Sequence, residues 1–211
     1  MGFGKWYEEK ILSRFIRLAC GDPKIMELRE AVIPLAEGRV FELGVGGGLN
    51  QQFYDALRVT GFAGIDPGAK LLDFARSEAA KKGWQVDIRE GRGEAIPFED
   101  ASFDTVVSTY TLCSVDDQAQ VLRELHRILK PGGKIIYLEH GKAPDRGPQK
   151  WQRRIEPVWK RVMGNCHLTR EVGGAVKQAG FSMEPIGQHY LPKTPKWAGW
   201  MEWGVGWKEG Q

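Results

Sequence analysis

The sequence predicts an α/β fold: a doubly wound, mostly parallel sheet with helices on both faces and a C-terminal antiparallel strand pair. Three observations lead there. Short apolar runs alternate with amphipathic stretches of helical length between Arg39 and His140, the pattern of successive βαβ units. Two of those runs, "FDTVVSTYTLC" and "KIIYLEH", are nearly continuous and β-branched, as strands covered on both faces are. The last two apolar segments, "FSMEPIGQHYL" and "WMEWGVGW", look like a strand pair: Met201, Trp203, Val205 and Trp207 alternate with small or polar residues, although Trp197, Trp200, Trp203 and Trp207 also fall at helical spacing.

The elements follow in order. Residues 4–20 read as an amphipathic helix, with Tyr7, Ile11, Phe15 and Leu18 in one stripe and Leu12, Ile16 and Ala19 beside it. Asp22-Pro23 opens a second helix through Leu35, with Pro34 near its end. Arg39–Leu43 is the first strand, followed by a glycine loop and a helix over 50–57. "GFAGID" is the second strand, ending at Asp66. Pro67-Gly68 turns into the helix "AKLLDFARSEAAKK", which Gly83 stops. "WQVDIRE" alternates as a third strand, "FDTVVSTYTLC" is the fourth, and Asp117 with Gln120 caps "QAQVLRELHRILK". "PGG" ends that helix ahead of the fifth strand. "PQKWQRRIEPVWKRVMG" predicts a helix with Trp151, Ile155, Val158, Trp159 and Val162 on one side and a kink at Pro157. "TREVGGAVKQAG" is a last helix, closed by Gly180.

Several function classes fall away on composition. The chain has 211 residues, 42% hydrophobic and 27% charged, with a net charge of only +3. That is one globular domain without the basic excess of a polyanion binder, and no nucleic-acid partner is expected. The longest apolar runs fall short of a membrane span. The opening "MGFGKWYEEKILSRF" mixes acids and bases into its apolar pattern, unlike a signal peptide, so the expected localisation is cytoplasmic. Cys20, Cys113 and Cys166 are odd in number and widely spaced, with no C-x-x-C, so neither a zinc site nor a disulfide framework is expected.

The stretch "RVFELGVGGGLNQQFYDAL" carries the chemistry. A dinucleotide fingerprint needs G-x-G-x-x-G, but counting from Gly44 the third glycine is Leu49, and from Gly46 it is Gln51. No G-K-[ST] follows, which excludes a P-loop. What fits is E-x-G-x-G-x-G: Glu42, Gly44, Gly46, Gly48. An acid ahead of the loop repels a pyrophosphate and suits a cationic ligand. Ligands of such sheets bind at the carboxyl ends of the strands. Glu42 to Gly48, Asp66, the loop near Gly93, residues 109–114 and Glu139-His140 all belong there.

With these motifs the chain resembles class I S-adenosylmethionine-dependent methyltransferases, whose fold is Rossmann-like. "VFELGVGGG", "GIDPGAKLLDFAR", "GEAIPFEDASFD" and "RILKPGGKIIYLEH" carry the resemblance over residues 38–140. "YTLCSV", "LEHGKAPDRGPQKWQ", "EPVWK" and "GNCHLTRE" extend it, over nearly the whole chain, to the methyltransferase-like 7 group, which includes mammalian thiol S-methyltransferases, and its small bacterial relatives. The resemblance implies a single methyltransferase domain over 1–211: N-terminal helices (1–37), a cofactor-binding core (38–140), an insertion or lid (141–170), and a C-terminal helix and strand pair (171–211).

It also implies S-adenosyl-L-methionine as cofactor, with S-adenosyl-L-homocysteine as product. Gly44, Gly46 and Gly48 would admit the methionine and ribose portions. Glu42 would sit near the ammonium, directly or through water, and Asp66 would accept from both ribose hydroxyls. Gly93 and Glu94 would lie by the adenine, although Arg92 stands where many relatives carry an acid. Thr109 would flank the methionine end. His140, after the fifth strand, is the candidate catalytic base, with Glu139 orienting it or the next loop. Tyr110, Ser114, His167 and Arg170 are candidate acceptor contacts, Cys113 a packing residue, and no metal is expected.

Methyl transfer from a sulfonium is an in-line displacement that needs alignment more than elaborate acid–base chemistry. The expected acceptor is a small molecule, a thiol or sulfide. The alternatives are a phospholipid amine of phosphatidylethanolamine type, methylated at the membrane surface, or a non-catalytic cofactor-binding module. Lys150, Arg153, Arg154, Lys160 and Arg161 make the insertion helix basic, either as a solvated face or for peripheral contact with an anionic membrane.

Overall fold

The computed structural model describes residues 20–84 and 86–210. The expected helix over 4–20 lies, apart from Cys20, outside the described residues. Seven strands form one sheet in the order β3-β2-β1-β4-β5-β7-β6. The strands are β1 (Gly38–Leu43), β2 (Val59–Asp66), β3 (Val86–Glu90), β4 (Phe103–Thr109), β5 (Leu129–His140), β6 (Phe181–Tyr190) and β7 (Trp200–Lys208). Pairs among β1 to β5 are parallel. β7 runs antiparallel to both β5 and β6, so the predicted strand pair joins the same sheet at its β5 edge.

The helices are α1 (Pro23–Val32), α2 (Ala69–Ala80), α3 (Gln118–Ile128), α4 (Arg146–Val162) and α5 (Val172–Gln178). Adjacent residues of each central strand feed two separate cores, as the period of two requires. Val40, Val107, Ile136 and Leu138 pack with Leu28 and Val32 of α1 and Leu72, Ala75 and Ala79 of α2. Phe41, Val106, Ile135 and Tyr137 pack on the other face with α3 and α5 through Val121, Leu125, Val172 and Val176. This is the doubly wound arrangement, and the order reverses between β1 and β4, where a crevice opens at the strands' carboxyl ends.

Four local expectations are corrected. The helix over 50–57 reduces to one 3-10 turn, Gln51–Phe53. The side chains of Asn50 and Tyr54 both turn inward to Glu42, and Asp55 closes a turn onto Leu57, Arg58 and Val59, leaving no length for regular helix. β4 ends at Thr109 rather than running to Cys113. Tyr110 takes φ 55°, and the backbone N–H groups of Thr111, Leu112 and Cys113 go to the Glu139 carboxylate instead of a neighbouring strand. Pro131-Gly132-Gly133 lies inside β5 as a register irregularity between Leu129 and Lys134, because α3 already stops at Ile128. In α4 the expected apolar side is split: Trp151 and Val158 are 54% and 62% exposed, whereas Trp159 packs on Trp197 and reaches the crevice. Gln152 is buried instead, bridging the Ala143 N–H and the Gly141 carbonyl, while Glu156 holds the backbone and hydroxyl of Thr169. Pro157 stays within the helix. The inward polar contacts thus set the rotation of α4, turning part of its hydrophobic pattern outward.

Candidate functional site

A cavity of about 670 Å³ occupies the crevice, running from the glycine loop and Asp66 to His140 and Cys166. Its first wall is the turn after β1. Gly44, Gly46 and Gly48 all have positive φ, a conformation costly for residues with a Cβ. A Cβ on Gly44 would strike the Thr111 hydroxyl at 2.2 Å, whereas one on Gly46 would meet nothing nearer than 3.9 Å. Gly46 therefore faces open cavity, and its backbone is the approach surface.

Asp66 ends β2 at the same wall. Its Oδ2 accepts from the Gly46 N–H at 2.9 Å and its Oδ1 from the Gly68 N–H at 2.7 Å. Burial pushes this carboxyl above its ordinary value, against the pull of those two N–H groups. A carboxylate oxygen has lone pairs beyond the one each bond uses, so Asp66 keeps acceptor capacity toward the cavity it lines.

Glu42 also lines the cavity but does not stand free. Asn50 Nδ2 donates to its Oε1 at 2.9 Å, and the Tyr54 hydroxyl donates to its Oε2 at 2.8 Å. Arg29, buried on α1, donates to Asn50 Oδ1 and, at 2.7 Å, to Thr109 Oγ1. Thr109 also accepts from Asn50 Nδ2 at 3.0 Å. Desolvation is the largest influence on Glu42 and raises it to about 7, opposed by Tyr54, Arg29 and Asn50. Arg29 and Asn50 are the residues sequence reading missed here. Asn50 closes the quoted glycine motif, but nothing in the α1 pattern marks Arg29 as a buried cation rather than a surface one.

The adenine-side candidates divide. Gly93 lines the cavity, and a Cβ there would press on Leu43 and Val121 at 2.9 to 3.0 Å. Glu94 lines it too, but its Oε1 accepts from the Asp116 and Asp117 N–H groups, so the carboxylate braces the loop before α3. Arg92 pairs with Asp116. The edge of this end is therefore a charged, hydrogen-bonded rim.

The far end is built by β5 and the 141–170 segment. Glu139, fully buried, accepts from the Ser108 hydroxyl and from the N–H groups of Thr111, Leu112 and Cys113. It takes neither expected role: the loop it holds is the one after β4, not the one that follows β5. Desolvation raises it nonetheless. His140, 6% exposed, places Nδ1 3.7 Å from Cys166 Sγ, and its Nε2 is buried with no partner. Cys166 Sγ in turn lies 3.7 Å from Cys113 Sγ. Tyr110, Ser114, Trp159 and Met201 complete this largely apolar end. Ser114 Oγ sits 3.4 Å from Cys113 Sγ.

Two expected acceptor contacts are corrected. Neither His167 nor Arg170 lines the cavity. The His167 ring sits 3.7 Å from Glu156, and Arg170 donates to the Leu112 and Asp116 carbonyls, pinning the loop that carries Cys113. Both point away because Glu156 and those carbonyls are their nearest complementary charges. Cys166 and Trp159 line the cavity in their place. Their motifs, "GNCHLTRE" and "EPVWK", were visible in sequence, but which side chain of each turns inward was not.

Among the described residues no group of three or more His, Cys, Asp or Glu side chains could hold a metal ion, and no helix is long and apolar enough to cross a membrane.

A methyltransferase domain family model matches residues 41–137. The chain is 37% identical over 178 residues to the thiol S-methyltransferase TMT1B of Rattus norvegicus, covering 76% of this chain and 71% of that protein. It is 36% identical over 180 residues to the TMT1B of Homo sapiens, covering 76% and 72%. A SAM-dependent methyltransferase from Thermotoga maritima superposes with a TM-score of 0.66 at 23% identity, over 97% of this chain and 99% of the other. The crevice at the strand-order reversal, the glycine turn and the sequence match agree: the chain belongs to the S-adenosylmethionine-dependent methyltransferases and is a methyl-transferring enzyme.

Proposed function

We propose that the enzyme methylates a small thiol, held at the Cys166–His140 end of the cavity with His140 as base. The observation that carries this reading is the buried, unpartnered Nε2 of His140, set in an otherwise apolar pocket end. The sequence likeness to thiol S-methyltransferases supports it.

The residues fit the nucleoside cofactor. The open face of Gly46 admits close approach, Asp66 retains acceptor lone pairs for two ribose hydroxyls, and the acidic Glu42 lies where an ammonium would be favoured. Thr109, tied to Arg29 and Asn50, positions the end of β4 beside it, and Gly93 lines the cavity where the base would lie. S-adenosylmethionine supplies a methyl group already activated on a sulfonium, so most of the protein's contribution is alignment and exclusion of water.

A thiol, unlike its thiolate, is a poor nucleophile, and free thiols ionise near pH 8.5. Cys166 is held below an ordinary thiol's value, first by its hydrogen bond with Cys113, then by His140. As a thiolate it accepts from Nδ1–H. That fixes the proton on Nδ1 and leaves on Nε2 a lone pair that no protein group takes. The acceptor S–H gives its proton to Nε2, and the imidazolium formed is stabilised by the adjacent Cys166 thiolate. The pocket's apolar lining, with Tyr110, Met201 and Trp159, favours an aliphatic or aryl thiol over a charged amine.

The test is a labelled-methyl screen over thiols, amines, phenols and phospholipid vesicles. Thiols should be turned over in solution, without vesicles. Turnover of amines alone, or only of vesicle lipid, overturns the reading.

A second reading concerns place rather than chemistry. Exposed Trp151 and Val158 on α4 stand among Lys150, Arg153, Arg154, Lys160 and Arg161, an arrangement suited to peripheral contact with an anionic membrane surface.

A further inference from the structure

The acceptor end of the cavity holds more sulfur chemistry than methyl transfer requires. Cys113 and Cys166 are far apart in sequence, yet their sulfurs are in contact at 3.7 Å. The contact is enforced by the backbone. The His167 N–H donates to the Cys113 carbonyl at 2.9 Å, and Asn165 Nδ2 donates to the Ser114 carbonyl at 2.9 Å. On the other side Glu139 fixes the Cys113 N–H, and Arg170 grips the Leu112 carbonyl. Two segments are thus laced together at the residues that carry the thiols. Both thiols also line the cavity. A disulfide bond is about 2.05 Å long, so the sulfurs, already in contact, have only to draw together for a bond to form.

We propose that Cys166 and Cys113 form a reactive dithiol that cleaves small disulfides entering the acceptor end of the cavity. Cys166 is the attacking sulfur, because it stands beside His140 and at the more open position; Cys113, buried behind it, is the resolving sulfur. The ionisation preferences agree. Their shared hydrogen bond lowers Cys166, aided by His140, and raises Cys113, aided by burial.

The exchange balances in two steps. The Cys166 thiolate attacks one sulfur of R–S–S–R; the S–S bond breaks, Cys166–S–S–R forms, and RS⁻ leaves with the proton Cys166 had given up. Cys113 then loses its proton and attacks Cys166 Sγ, forming Cys113–S–S–Cys166 and expelling the second RS⁻, which takes that proton. The protein loses two electrons as a dithiol, the substrate disulfide gains them, and two RSH are released. A small external dithiol restores the reduced protein by the reverse exchange. In the oxidised form Cys166 no longer accepts from His140. The link to methyl transfer, release of a thiol inside its own acceptor pocket, rests on the thiol-acceptor reading; the exchange itself does not.

The test uses the reduced, full chain, freed of reductant and exposed anaerobically to bis(2-hydroxyethyl) disulfide without any methyl donor. Of the three cysteines, one free thiol, Cys20, should remain. The intact mass should fall by about 2 Da without adduct, peptide mapping should join Cys113 to Cys166, and about two equivalents of 2-mercaptoethanol should appear. Cys113→Ser should stop at an adduct of about 76 Da on Cys166, and Cys166→Ser should react at least ~100-fold more slowly. Three retained thiols, a persistent adduct on the wild-type chain, or a cross-link through Cys20 overturns the proposal. Methyl transfer to 2-mercaptoethanol and to the other thiols of the screen is measured separately. Exchange without methylation removes the thiol-acceptor reading, and methylation without exchange removes this one.

Discussion

Replacing Asp66 by Asn separates a structural carboxylate from a ligand-binding one. Its two oxygens accept from Gly46 and Gly68 N–H at 2.9 and 2.7 Å. Asn keeps one acceptor and turns its amino group toward the other N–H, orphaning a buried donor at a cost of about 1–3 kcal/mol. Part of that is returned, because burial disfavours the charge in the wild type. The net loss of fold stability should be about 1 kcal/mol, within the range of an ordinary single substitution. The cofactor should suffer far more. Two ribose hydroxyls lose a charged acceptor, each bond worth about 1.5–3 kcal/mol, so S-adenosylmethionine and S-adenosylhomocysteine affinity should fall ~100-fold or more. Isothermal calorimetry with both nucleosides, beside denaturant unfolding of the ligand-free chain, reads the two effects independently. An affinity within threefold of wild type in a folded variant would refute the ribose assignment.

Four further outcomes are expected. His140→Gln should lower kcat/KM for thiols by ~10²–10⁴ while leaving S-adenosylhomocysteine affinity within a factor of two, since the ring serves the acceptor side; steady-state kinetics that show full activity exclude it as base. Glu42 is raised from 4.5 to about 7, so its folded form binds a proton more tightly than the unfolded chain does. That contribution, about 3 kcal/mol, is present below pH 4.5 and is lost as pH rises through 7. Urea unfolding of wild type and Glu42→Gln should therefore diverge between pH 5 and 8, with the variant gaining relative stability at the higher pH; parallel profiles contradict the buried charge. Gly46→Ala should cost about 1–2 kcal/mol in backbone strain at its positive φ, yet weaken cofactor binding at least ~10-fold because the new methyl projects into open cavity; calorimetry showing unchanged affinity would place the ligand elsewhere. Pelleting with anionic vesicles should decline when Trp151 and Val158 are replaced by Ser and when salt is raised; a chain that stays in the supernatant at low salt lacks this contact.

Much of this architecture was readable because its signals are local. Strand period, β-branching and the Asp117 cap are written in neighbouring residues, and β2, α2, α3 and β5 accordingly lie near their expected places. Three of the failures share one cause. The 50–57 helix, the end of β4 and the rotation of α4 were each decided by a buried polar side chain reaching across the chain: Glu42 to Asn50 and Tyr54, Glu139 to the 111–113 backbone, Gln152 to residues 141 and 143. An unpaired polar group in the interior costs more than a helix turn contributes, so these long-range bonds override local preference. The same reasoning explains His167 and Arg170, whose residue types suit a binding site but whose partners lie outside the cavity.

The sequence by itself determined that a glycine turn after an acidic strand end would face a ligand that is no dinucleotide, and that Asp66 and His140 would stand at the same end of the sheet. Spacing along alternating elements suffices for that, because parallel strands bring all their carboxyl ends together. Only the tertiary structure decided which side chains meet there. Arg29 arrives from α1, and Cys166 arrives from the segment after α4 to touch Cys113 and His140. Such encounters depend on how helices rotate and loops are tied, and those are set by packing and buried hydrogen bonds between residues that no periodic pattern relates.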